Sequence, residues 1–183
     1  MNKKNIRQMV GAVLFIGLFL SCMSYPTSLS KKRDFEIPEL GGNTIVSNIQ
    51  YGYDTMPVSR YNFYKPADSS KEIAILSIQP QNLKKDIVYN FYNIVLFNGE
   101  KKYFPVIVRY FHGNSVFGLD WGYNRAVQGD LKLKFGNNGP YTIILAYLYD
   151  EGDTFDKCIF FDKYTVDFDT NLIKQDTKID SFN

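Results

Sequence analysis

The side chains that could do chemistry in this 183-residue chain fall into a few short stretches. The single histidine, His112, stands before Gly113, Asn114 and Ser115. A His–Ser relay needs an orienting acid and a nucleophile on a strand-to-helix elbow; here Gly113-Asn114-Ser115-Val116-Phe117-Gly118 lies between strands with no helix after it, so His112 reads as a turn or surface residue. In 150–156, Asp150, Glu151, Asp153 and Asp156 surround Gly152 and could wrap a calcium ion, which takes six to eight oxygens. Their spacing is not that of an EF-hand, and a hairpin turn accounts for the same residues. Trp121, Tyr123 and Arg125 would offer aromatic faces and a guanidinium at a strand end, a platform for a glycan or a protein, although Tyr and Phe equally suit strand packing. The 19 acidic residues contain pairs that glycoside hydrolysis could use, but no spacing singles one out. No catalytic residue and no cofactor is assigned, and one His with one remaining Cys offers no zinc ligand set.

The elements that must position these residues have a period of two. Within Thr44 to Tyr51, Ile45, Ile49 and Tyr51 share a face, and Lys71 to Ile78 is apolar on both faces, as a strand between layers would be. Tyr89 to Phe97 and Lys102 to Phe111 are two aromatic and β-branched runs joined at Asn98-Gly99, which predicts a hairpin with a type I′ turn. Pro105 cannot donate to a ladder, so its strand should be an edge there or carry a bulge. Phe117, Leu119, Trp121 and Tyr123 alternate, as do Leu131, Leu133 and Phe135 with Lys132 and Lys134 between them. Asn137-Asn138-Gly139-Pro140 is a turn, Tyr141 to Tyr149 a long apolar strand, and Asp156 to Asp169 a run with Tyr164, Val166 and Phe168 on one face. These patterns predict an all-β domain, a single antiparallel β-sandwich of about eight strands, Ig-like or jelly-roll-like, with a small closed β-barrel as the alternative.

The first 22 residues have a separate logic. Lys3, Lys4 and Arg7 precede an unbroken apolar run from Met9 to Leu20, closed by Ser21-Cys22. The run suits a secretory signal and falls short of the roughly 20 residues of a membrane-spanning helix. A small residue followed by Cys directly after such a run resembles the lipobox of bacterial lipoproteins, although Phe19 and Leu20 stand where the commonest pattern has Leu and a small residue. The resemblance implies removal of 1–21, diacylglycerol on Cys22 as the first mature residue, and a membrane partner through that lipid. It covers the signal segment alone; ordinary cleavage near Ser24, or an uncleaved anchor, would also fit the apolar run. Met23 rather than Asp after the Cys makes transfer to an outer membrane the expected destination within the cell envelope.

Three of the 21 basic residues lie in that segment, leaving 18 against 19 acids, so there is no positive excess for nucleic acid. Residues 22–34, with Ser24, Pro26, Ser28 and Ser30 before Lys31-Lys32-Arg33, read as a flexible tether holding the domain roughly 20 Å from lipid. The sandwich is expected over 35–170, and 171–183 as a polar tail. With Cys22 lipidated, Cys158 has no disulfide partner within the chain and reads as a small buried hydrophobe. The combined expectation is an exported, lipid-anchored protein displaying a non-catalytic binding or structural module for a protein or glycan. A lipocalin-like carrier of a small apolar ligand and a secreted hydrolase are the alternatives from other classes.

Overall fold

The computed structural model describes residues 33–47, 49–58, 62–113, 125–168 and 173–175. Among them every regular element is a β-strand except two 3-10 turns, and every strand pairing is antiparallel. No helix among the described residues is long and apolar enough to cross a membrane.

Arg33–Ile37 (β1) and Gly42–Val46 (β2) form the first hairpin, around a 3-10 turn at Pro38–Leu40. Gly41 ends that turn at φ +86°, and a Cβ there would lie 2.3 Å from the Asn82 carbonyl oxygen, so both conformation and space demand glycine. Gln50–Tyr53 (β3), Met56–Pro57 (β4), Phe63–Tyr64 (β5) and Lys71–Pro80 (β6) follow. The strand expected over Thr44–Tyr51 is broken: β2 and β3 both run along β6, and between them the Ser47 and Ser77 backbones are joined partly through the Ser47 hydroxyl, 3.0 Å from the Ser77 N–H.

Tyr89–Phe97 is broken too. Val88–Asn90 (β7) is followed by a 3-10 turn at Phe91–Asn93 and then Ile94–Asn98 (β8), because the Asn90 side chain caps the turn by accepting from the Tyr92 N–H at 3.2 Å. Lys101–Tyr103 (β9) closes the predicted hairpin with β8. Asn98 faces Lys101, so the loop is Gly99-Glu100, and of those two only Gly99 has positive φ (57°), the pattern of a type II′ turn rather than I′.

After Phe104 the chain changes sheets. Pro105–His112 (β10) lies between Arg125–Gln128 (β11) and Tyr141–Asp150 (β13), with Lys132–Lys134 (β12) paired to β7. β11 pairs no farther than Ile107, so beside Pro105 itself only β13 is paired, and the register shifts between Pro105 and Ile107: the irregularity expected at the proline is present, and the missing donor is tolerated there. Leu131, Leu133 and Phe135 are buried and Lys132 and Lys134 exposed, as their alternation predicts. The run from Asp156 splits into Lys157–Phe160 (β14) and Tyr164–Asp167 (β15), joined by a turn in which Phe161 and Asp162 both have positive φ (54° and 57°) and Lys163 N–H donates to the Phe160 carbonyl at 3.0 Å. A bulky residue at positive φ is uncommon; Phe161 packs against the core, which offsets that cost. Ile173–Gln175 (β16) pairs with β15, so this part of the expected tail extends a sheet, and β1 starts within the segment read as tether.

One sheet runs β1-β2-β6-β13-β10-β11, with β3 also on β6; a second runs β16-β15-β14-β8-β9. Neither closes among the described residues, so the closed-barrel alternative is set aside. Among the described residues there are sixteen strands where about eight are expected, the longest of them, β6 and β13, ten residues each. A single buried cluster draws Ala74, Leu76, Ile78, Val108, Leu145 and Tyr147 from the first sheet and Ile94, Leu96, Cys158, Phe160 and Val166 from the second. Tyr147, fully buried, donates its hydroxyl to the Ile94 carbonyl at 2.9 Å, a hydrogen bond between the sheets. Ile73 and Ile75 lie on the opposite face of β6 and are at most 4% exposed, so this strand is buried on both faces as its composition predicts.

Candidate functional site

A concavity of about 430 Å³ opens where β3, the β8–β9 loop and the approach to β14 meet, lined by Ile49, Tyr51, Asn98, Gly99, Thr154, Phe155, Asp156 and Phe168. Two of its lining residues, Tyr51 and Phe155, form an aromatic stack. Tyr51, 40% exposed, lies nearly parallel to buried Phe155, with ring centroids 5.7 Å apart at 14°. The Phe155 N–H donates to the Tyr51 hydroxyl oxygen at 2.9 Å, and Tyr149 meets the Tyr51 ring edge-on at 5.6 Å. Tyr103 packs edge-on against Phe155 at 4.9 Å. An aromatic side chain held by these contacts loses little freedom when a ligand stacks on it.

Polar groups stand around the stack. The Asp156 backbone is fixed from both sides, its N–H donating to the Phe97 carbonyl at 3.0 Å and its carbonyl accepting from the Phe168 N–H at 2.9 Å. Its Oδ1 is buried and meets no donor among the described residues. Asn98 and Thr154 belong to the same lining. A small polar molecule with one flat apolar face can stack on Tyr51 there and hydrogen-bond to polar groups of these residues.

Beside the concavity an ion-pair cluster ties the two sheets together. Asp150 at the end of β13 pairs with Lys71 on β6 and with Lys101 on β9 (2.6 Å), and Lys101 also meets Asp153 at 2.9 Å. Tyr103 donates its hydroxyl to Asp153. Lys101, then Lys71, hold the Asp150 carboxyl down to about 2; Tyr103 and Lys101 lower that of Asp153, and Asp150 chiefly raises the Lys101 ammonium in return. Nearby, the Tyr149 hydroxyl donates to Glu72 and accepts from the Gly52 N–H at 3.0 Å; burial first, and Glu72 second, push it up to about 12.

The acidic stretch weighed as a calcium wrapper is thus arranged differently. Asp150 and Asp153 turn to lysines, Glu151 is exposed in the turn, and Asp156 lines the concavity. No group of three or more His, Cys, Asp or Glu that could hold a metal exists among the described residues. His112 pairs with Tyr141 at the start of β13, its ring 5.0 Å from that of Tyr141, whereas Tyr149 marks the other end of the strand. Eight residues of strand, about 26 Å, separate Tyr141 from Tyr149, which meets Tyr51 of the concavity. Cys158 is fully buried, and burial raises its thiol well above the usual range, which leaves it unreactive. Arg125 opens β11 opposite Tyr110; Cys22, Trp121 and Tyr123 lie outside the described residues.

Sequence reasoning did not find the Tyr51–Phe155 stack. Only Tyr51 carried a signal, as a strand residue on a face with Ile49, and no spacing joins positions 104 residues apart. No protein-family model, curated protein or solved structure matches this chain.

Proposed function

We propose that this protein is a lipid-anchored lipoprotein of a bacterial cell envelope, outer membrane rather than inner, displaying a non-catalytic β-sandwich as a binding or structural module. The observation that carries this reading is the order of the N-terminal residues: three cations, twelve apolar residues from Met9 to Leu20, then Ser21-Cys22. A hydrophobic run of that length ending in a cysteine serves export and lipid attachment better than spanning. The arrangement of the two large sheets as facing layers is the simplest one that lets both contribute to one core. Within the module, the Tyr51–Phe155 concavity is the surface for a polar ligand, and the acids beside it serve as structural partners of lysine rather than as proton donors or acceptors in a reaction.

Metabolic labelling of the producing cells with a clickable fatty acid tests the reading. The full-length gene product should carry label and partition with membranes, and its first tryptic peptide should begin at diacylated Cys22. The Cys22→Ala variant should lose label. Recovery of the wild-type protein unlabelled with an amino terminus at Met1 or near Ser24 would refute it. Protease treatment of intact and permeabilised cells then decides which side of the outer membrane displays the module.

A further inference from the structure

The outward face of the five-stranded sheet is not a plain solvated surface. Asp167, Lys157, Phe97 and Lys102 face one another across β15, β14, β8 and β9, so their side chains share one face. Their immediate neighbours Val166, Cys158, Leu96 and Tyr103 are at most 6% exposed and belong to the core, which turns this rung away from it. The Lys157 and Lys102 ammonium groups lie 5.2 and 5.8 Å from the centre of the Phe97 ring. Two residues on from Lys102, Phe104 is 38% exposed and stacks on Tyr92, 47% exposed, with centroids 4.7 Å apart at 10°. Exposed stacked aromatics beside cations are the composition of a membrane-interface surface, where ring faces enter the headgroup layer and ammonium groups meet phosphates.

β1 begins at Arg33, whose guanidinium donates to the Asp167 carbonyl at 3.2 Å, at the end of the rung. Only ten residues, 23–32, separate it from Cys22. As the tether that their composition predicts, ten residues would span about 18 Å on average, which would keep Arg33 within reach of lipid attached at Cys22.

We propose that the face formed by Phe97, Lys102, Lys157, Phe104 and Tyr92 lies against an anionic lipid bilayer and sets the orientation of the domain on its membrane. The proposal rests on lipidation at Cys22. Anionic headgroups complement Lys102 and Lys157, the two cations that flank the Phe97 ring.

The test uses the full lipidated protein reconstituted in phosphatidylcholine vesicles with and without phosphatidylglycerol, followed by hydrogen–deuterium exchange of the peptide 99–106. Exchange should slow on the anionic vesicles alone. The double variant Lys102→Glu/Lys157→Glu should lose the anionic preference by at least about thirtyfold, which at 1.4 kcal/mol per factor of ten is about 2 kcal/mol, or 1 kcal/mol per lysine. The same charge change at Lys84→Glu/Lys132→Glu, exposed residues elsewhere, should leave it intact. Equal protection on both vesicle types, protection that survives the Lys102/Lys157 reversal, or none with the lipid attached overturns the proposal while leaving the anchor standing. An amino-terminal peptide without diacylglycerol overturns both.

Discussion

Replacing Tyr147 by Phe isolates one hydrogen bond between the two large sheets. The ring is fully buried on β13, and its hydroxyl is 2.9 Å from the Ile94 carbonyl on β8. Phe keeps the aromatic volume, so the loss is the net hydrogen bond, about 1 kcal/mol, plus the cost of leaving a buried carbonyl less satisfied, about 1 kcal/mol more at the low end of its range. A total of about 2 kcal/mol should lower the thermal midpoint by roughly 4–8 °C for a domain of this size. In urea the midpoint should fall by about 1 M at a slope near 2 kcal/mol per M, with the slope unchanged. Tyr147→Ala, which also empties a cavity, should cost about 3–5 kcal/mol. Burial holds the Tyr147 hydroxyl well above its usual pKa, so ultraviolet titration of the wild type should show one tyrosine that ionises only on unfolding. A Tyr147→Phe variant within about 0.3 kcal/mol of wild type would refute the claim that this bond joins the sheets.

Two glycines at positive φ should respond differently to alanine. Gly99→Ala meets nothing within 4 Å and should cost about 1 kcal/mol, whereas Gly41→Ala drives a Cβ to 2.3 Å from Asn82 and should cost at least about 2 kcal/mol more by urea denaturation. Because Lys101 and Lys71 lower Asp150 to about 2, its contribution to stability should be present above the ordinary value of 3.8 and lost as pH falls through about 2. Carboxyl chemical shifts of Asp150 following a titration near 3.8 would contradict the cluster. Tyr149, raised to about 12, gives the opposite sign: its contribution is full below 10 and lost as pH rises through about 12, which tyrosinate absorbance of wild type against Tyr149→Phe should reveal. Cys158 should resist thiol reagents until the domain unfolds, and Cys158→Ser should cost about 1–3 kcal/mol for a hydroxyl buried among apolar side chains; rapid modification of the native protein would place it elsewhere.

The strand content was legible because period two is local. Leu131, Leu133 and Phe135 point inward and the lysines between them outward, β6 is apolar on both faces, and a glycine after Asn98 turns a hairpin. The breaks were not legible. Whether Tyr89–Phe97 is one strand or two depends on the Asn90 cap, and whether Pro105 lies on an edge depends on which sheet β10 joins. Pattern records which face of a strand is apolar, but not which other strand covers it.

The same division holds for the site. The Asp150 region was visible as acidic residues around a glycine, yet its two lysine partners come from β6 and β9, 79 and 49 residues away, and their arrival makes it a clasp between sheets. Tyr51, Asn98 and Phe155 have no spacing that relates them. What the sequence by itself determined is local: three cations before an apolar run that ends at Ser21-Cys22, 18 basic against 19 acidic residues after it, and strands whose inward residues alternate. Only the tertiary structure decided how those strands divide among two large sheets and two two-stranded ones, which acids meet lysines, and where an aromatic stack lies open. Alternation and turns act between neighbours in the chain, whereas pairing between strands and contact between sheets are chosen by total burial and hydrogen bonding over the whole domain.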